Sequence, residues 1–583
     1  MDSNNGTSKK ILSLIGCIIS SIAFVFFAAR GNYDYGIFDI RLISRLILGI
    51  LLGLITFSCR KIIRSSSKCS KIVYLGLSIA CAYFLIKPFF NTHLYSVFVQ
   101  NTAEAFKLET TFFNWMYCVM VAVVAIPSIF AIIILLLKWI SSLPNTLDFR
   151  KIITEFKTTP KAFSICFVKA VSIVAISALI GFCLIALSLR IPTTFLEKNM
   201  APSAYTLLND DLNGPLSPNS TSLIDTFTDS IILLESADDT NDSLIRRAAL
   251  IYMNSDGANN LDSLVLKYIV GSKVAEISSY PRYWHGFIIT VKPLLSIMDL
   301  DGIRTLNYVL QISIIAFIVL LMWKQGCQGY IAPLIISYLM LMPQAIAKCL
   351  QYATCFYISF ASIAFMLLQC NKEQHKRKCW ITFLIIGILT AYFDFLTYPL
   401  ATFGFPAVTY LITSKGTSSE DKIVSIIKFG FAWIFGYLTM WASKWIIASV
   451  ITGENIILNA FQTISFRTSH SIETRHISLL EVEIANIRAF LFTPITKIMS
   501  VYILLYSYLF LRKASFGRKD YNQIVMPYLL IMAIPILWFA IATNHTYMHA
   551  CFTNKVCAIA AFSIMSMLVN LCNTNKYLEP KDS

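Results

Sequence analysis

YPRYWHGFIITVKPLLSIMDLDGIRTLN, residues 280–307, is where this chain returns from a long polar excursion to an apolar run. Aromatic and basic side chains (Tyr280, Arg282, Tyr283, Trp284, His285, Lys292) crowd its first half. Working back from it, residues 190–304 form one polar segment with 14 acidic and 9 basic residues. Apolar stretches flank that segment, and in both directions runs of about 20 apolar residues, enough to cross a bilayer, dominate the chain.

Composition fixes the class. Of 583 residues 56% are hydrophobic and 14% charged, with mean hydropathy +0.66; a soluble domain carries about 25% charged residues. The sequence therefore reads as an all-α polytopic membrane protein. Its net charge of +16 does not imply nucleic acid as a partner. The excess Lys and Arg lie in short loops, as expected on the cytoplasmic side of a membrane. No cleavable signal is expected, because the first apolar run, 11–29, is long enough to span and lacks a small-residue cleavage site.

About 14 spans are expected, at 11–29, 42–58, 73–90, 113–137, 166–189, 306–323, 330–347, 352–369, 380–393, 398–413, 425–447, 490–511, 525–542 and 552–571. The basic loops 59–71, 138–165, 371–378 and 512–519 then face the cytoplasm with both termini, and 190–304 faces outward. The expected organisation is a four-span unit (1–137), a cytoplasmic linker (138–165), a ten-span unit (166–571) and a tail (572–583). None of the 15 cysteines falls between 190 and 304, so no disulfide framework is expected outside; the thiols read as interior residues. With no CxxC pair and no third ligand beside His545 and His549, neither metal nor cofactor is expected.

Within the polar segment, 208–222 reads as a turn-rich loop. LIDTFTDSIILLESA (223–237) has Leu223, Phe227, Ile231 and Leu234 at helical spacing, with Asp225 and Asp229 on the adjacent face. A second helix is expected over 242–253, capped by Asp242 or Ser243. A carboxylate at a membrane mouth can accept a proton from an acceptor hydroxyl, which makes Asp225 and Asp229 candidates. Asp394, in YFDFLTYPLATFGFP (392–406), is the third. It needs a cavity or a partner to sit in so apolar a run, and Pro399 after it marks a broken helix. Lys348, Lys444, Lys497 and Lys555 stand at the ends of spans where the positive-inside rule would not put them, and suit a lipid phosphate. His545 and His549 share a helical face in the last such loop. Loop 451–489 is long enough for a helix lying on the membrane, as a lid or a connector.

A span followed by a large polar loop with acidic residues near its start, re-entering through a Tyr-rich, Pro-containing strip, resembles the GT-C superfamily of integral-membrane glycosyltransferases. The likeness runs from 166–189 through Asp225 and Asp229 to YPRYWHG, VKPLL and GIRTLN, with DTFTDS where the family commonly has an Asp-Glu pair. It implies a polyprenyl-phosphate sugar donor, a glycan or lipid acceptor, and an active site facing outward from a bacterial plasma membrane. On that reading Asp229 is the base, Asp225 its neighbour, Asp394 an orienting group, and Arg282 or His285 meets the donor phosphate. A polymerase or ligase of lipid-linked polysaccharide, a transporter or flippase, and a non-enzymatic scaffold are the other classes the residues allow.

Overall fold

The computed structural model describes residues 160–213, 224–255, 259–272, 276–369, 373–414, 417–472, 475–491 and 520–576, besides isolated positions between 18 and 57. The first four expected spans, nearly all of the one at 490–511, and Lys497 lie outside the described residues. Two compact units divide at Asn145/Thr146, inside the expected linker. All contacts described below lie within the unit made of Thr146–Thr496 and Gly517–Thr574.

The chain is mostly helical. Among the described residues six helical stretches are long and apolar enough to cross a membrane: Pro160–Leu189, Leu300–Lys324, Leu350–Gln369, Ser419–Thr452, Ile524–Ile541 and Ala550–Leu571. Those expected at 330–347, 380–393 and 398–413 are shorter apolar helices, Gln328–Met340, Cys379–Phe393 and Ala401–Thr413.

Helix α1 (Pro160–Leu189) opens on a proline, which costs nothing where the N–H has no helical acceptor. It buries one narrow stripe, Ala170, Val174, Ala178, Gly181 and Ile185, and leaves Phe163, Ile176, Leu179 and Leu187 exposed, the pattern of a helix packed on one side and facing lipid on the other. The segment 190–304 folds into α2 (Glu197–Asn213), α3 (Thr226–Ser236) and α4 (Leu244–Leu250), with further short helices and an antiparallel pair, β1 (Tyr252–Asn254) and β2 (Ile277–Ser279). Ser243 caps α4 by accepting from Arg246 N–H at 3.4 Å. The helix expected over 242–253 ends at Leu250, because Tyr252–Asn254 pairs with Ile277–Ser279 instead.

The long helices that follow are α5 (Leu300–Lys324), α6 (Leu350–Gln369), α7 (Glu373–Phe393) and α8 (Ser419–Thr452). Helices α7 and α8 touch backbone to backbone where Gly387 meets the Trp433 carbonyl and Gly436 meets the Leu384 carbonyl; neither position has room for a Cβ. Small residues allow such approach where lipid supplies no hydrophobic drive for helix association. The break expected around Pro399 is present: α7 ends at Phe393 and the next helix begins at Ala401. After α8, α9 (Ile456–Arg467) rests Ile456 and Ala460 on Trp445 and Ala448, and α10 (Ala558–Lys576) closes the described chain.

Tyr392 ties the polar segment to this bundle. Its hydroxyl donates to Gly181 O on α1 at 2.8 Å, and its carbonyl accepts from Gly286 N–H at 2.9 Å. Trp284 Nε1 donates to Met440 O at 2.7 Å and Trp445 Nε1 to Arg282 O at 2.8 Å. The aromatic strip at 280–287 is thus a seam against α8.

Candidate functional site

Helix α3 is buried almost all round, and the sequence reading of its faces needs correcting. Asp229 is fully buried and Phe227 is half exposed, although Phe227 was expected on the apolar face and Asp229 beside it. The reason is a polar contact that outweighs Phe227's preference. Asp229 Oδ2 accepts from Leu350 N–H at 3.1 Å and Oδ1 from Gln351 N–H at 3.4 Å. Those amides belong to the first turn of α6, which has no helical acceptors for them, and an anion there also meets the positive end of the helix dipole. Burial raises the Asp229 pKa to about 7, against the opposing pull of Arg304 and of the two amides.

Asp225 caps its own helix. Oδ1 accepts from Thr228 N–H at 2.9 Å and Oδ2 from the Thr228 hydroxyl at 3.0 Å. The Gln351 side-chain amide also donates to Oδ2. Asp225 differs from Asp229 in being only partly buried. Burial raises its pKa, and Thr228 and Gln351 oppose the rise. Asp225 and Lys555 both lie within electrostatic reach of Cys349 and Cys551. The Lys555 ammonium sits 5.1 Å from the centre of the Tyr352 ring, in cation–π range.

Arg304 extends the cluster. Its Nε donates to Lys348 O at 2.8 Å and one terminal nitrogen lies 2.6 Å from Asp210 Oδ2. Lys348 Nζ is 3.8 Å from Asp210 Oδ1.

A second group forms around Asp394. Its carboxylate accepts from Thr397 N–H at 3.0 Å and from the Thr397 hydroxyl, closing a turn directly after α7. Phe395 packs amid Tyr283 (5.5 Å between ring centres), His285 (5.1 Å) and Phe287 (5.1 Å). Leu396, at φ +66°, presents its carbonyl to His545 Nε2 at 2.8 Å. His549 Nε2 lies 3.0 Å from an Arg467 terminal nitrogen. Arginine only donates, so this ring nitrogen accepts, and its lone pair is in use. Burial and Arg467 together lower the His549 pKa to about 4. Phe552 lies between the two groups, 5.9 Å from the Tyr352 ring and 5.1 Å from that of His549.

Three further candidates are engaged in internal contacts. His285 Nδ1 faces Glu235 Oε2 at 2.8 Å with both side chains fully buried. Lys444 is also fully buried, donating from Nζ to Ala248 O at 2.9 Å beneath the Trp284 ring. Arg282 donates to Asn459 Oδ1 at 2.9 Å. The structure therefore gathers Asp225, Asp229, Lys348 and Lys555 in one place, and Asp394, Arg282, His285, His545 and His549 in another. Glu235, Arg304 and Gln351 are the functional-looking residues the sequence did not single out. Glu235 and Gln351 carried a signal, a lone polar residue within an apolar run.

Among the described residues no group of three or more His, Cys, Asp or Glu side chains is arranged to hold a metal ion. No protein-family model, curated protein or solved structure matches the chain.

Proposed function

We propose that this protein transfers a sugar from a polyprenyl-phosphate donor to a hydroxyl of a glycan or lipid acceptor at the outer face of a membrane, with Asp225 as general base. The observation that carries this reading is a carboxylate on a partly buried residue, Asp225, joined to the first turn of the apolar helix α6: its N–H donates to Cys349 Sγ at 3.3 Å and its Oδ2 accepts from the Gln351 side chain. A base works best when its pKa approaches the working pH while it stays ionised, and burial moves Asp225 in that direction. Asp229 is less suited, because no solvent reaches it. On this reading the buried Lys555 supplies a point charge for the donor phosphate. Arg282, His285 and Lys444, each with one internal polar contact, to Asn459, Glu235 and Ala248, contribute by holding the segment in place. Asp394 and His545 fix the neighbouring turn.

The test uses the full-length protein in lipid nanodiscs with a radiolabelled polyprenyl-phosphate hexose. Asparagine caps a helix as well as aspartate does, so Asp225→Asn retains the fold. It should lower turnover about 10²–10⁴-fold, the worth of one proton-transfer group. Lys555→Met should weaken donor binding. Normal turnover in Asp225→Asn, Asp229→Asn and Asp394→Asn would overturn the reading. Passage of the intact donor across a proteoliposome membrane without bond cleavage would favour a flippase.

A further inference from the structure

A cleft of about 390 Å³ opens between α2 and the start of α5, beside the candidate base. That volume is at the lower end of small-ligand sites, roughly 300–1,000 Å³. Its lining differs from the usual apolar one. Asn209, Asp210, Asp301, Arg304 and Lys348 line it, and Tyr308 supplies the one aromatic ring among the described lining residues. The formal charges cancel, two carboxylates against two cations. An anion would face Asp210 and Asp301, and a cation would face Arg304 and Lys348. An apolar ligand would strip water from all four charges and return little.

A neutral polyhydroxylated ligand fits. Each hydroxyl both donates and accepts, and so needs donors and acceptors side by side. Asp301, 68% exposed, offers acceptor capacity beyond the Thr206 hydroxyl it already takes at 3.0 Å. Lys348 is 33% exposed and keeps donors free beyond its 3.8 Å approach to Asp210. One terminal nitrogen of Arg304 is buried with no hydrogen-bond partner. Tyr308 provides a face for the apolar side of a ring.

Position supplies the second argument. Asp211, next to Asp210, accepts from the Thr226 hydroxyl at 3.0 Å, and Thr226 follows Asp225. On the other wall Lys348 precedes Cys349, whose sulfur accepts from Asp225 N–H at 3.3 Å, and Gln351 donates to the Asp225 carboxylate. Both walls of the cleft therefore lead to Asp225 within a few residues.

We infer that this cleft seats a sugar ring of the acceptor, making the acceptor a carbohydrate rather than a lipid alcohol. This rests on the transferase reading, but its test does not need turnover. The protein in nanodiscs, without donor, is titrated with methyl glycosides of glucose, galactose, rhamnose and N-acetylglucosamine and with their disaccharides. Inorganic phosphate and glycine betaine serve as charged controls, and saturation-transfer NMR and calorimetry read binding. At least one glycoside should bind saturably, and neither control should compete. Asp301→Asn and Lys348→Met should each raise its Kd about 10-fold, one good hydrogen bond's worth. Lys267→Met, at an ion pair with Asp239 outside the cleft lining, should leave it unchanged. Thermal unfolding close to wild type confirms that the variants fold. Absence of saturable binding by every glycoside, competition by phosphate or betaine, or an unaltered Kd in both cleft variants would overturn the inference. Glycoside binding without any donor cleavage would instead sink the transferase reading and leave a sugar site standing.

Discussion

Asp229 and Asp394 are both buried carboxylates that accept backbone N–H groups, yet they work over very different chain distances. Asp394 takes Thr397, three residues on, and holds a turn. Asp229 takes Leu350 and Gln351, 121 and 122 residues away, and holds a spanning helix to the polar segment. The first is a local device that any chain with Asp-x-x-Thr after a helix can build. The second exists only once two remote segments have met. Burial of a carboxylate in this protein therefore does not by itself mark a catalytic group. The third acid, Asp225, stands apart because the residue is only partly buried.

The comparison can be broken by substitution. The largest stability loss is expected for Asp229→Ala, which leaves two amides in the first turn of α6 without an acceptor. A buried donor so stranded costs about 1–3 kcal/mol, so the variant should unfold at clearly lower temperature in detergent and expose the 190–304 segment to protease. Wild-type protease resistance in this variant would show that the long-range clasp carries no weight.

A pH titration sharpens the difference further. The Asp229 carboxyl has a folded pKa of about 7 against 3.8 as its ordinary value, so the folded chain holds that proton more tightly than the unfolded one. The resulting stability is complete below about pH 4 and is lost as pH rises toward 7. Thermal unfolding between those limits should therefore fall more steeply with pH for wild type than for Asp229→Asn. Parallel curves would remove the shift.

The smaller effect is expected for Asp394→Ala, about 1–2 kcal/mol, because one buried amide, Thr397 N–H, is stranded instead of two. It should show as loosening of the 394–400 turn in hydrogen exchange. Asp229→Ala and Asp394→Ala share no partner and should be additive within about 0.5 kcal/mol. A larger coupling would show that the two groups, linked through Tyr352, Phe552 and His549, act as one site.

Much was legible in the residues. Apolar run lengths placed the spanning helices within a few residues where the structure describes them, and Pro399 with Tyr398 marked the break after α7. The Ser243 cap also follows a local rule. The faces of α3 did not. Phe227 lies outward and Asp229 inward, a reversal of binary pattern driven by two amides no local window contains. The span-end lysines read alike in sequence, but Lys444 donates to Ala248 inside the protein, Lys348 lines a polar cleft, and Lys555 lies over the Tyr352 ring.

The sequence by itself determined the solvent. Runs of apolar residues cannot be hidden in water at this length, and each must satisfy its own backbone within a helix, so membrane class and helical architecture follow from composition and period alone. Tertiary structure alone decided which polar groups meet. Glu235 faces His285 across fifty residues of chain, and Asp225 reaches Gln351 across 126. Such pairings form because a buried polar group left without a partner is costly, and the partner that meets the need is set by how helices pack rather than by neighbours in sequence.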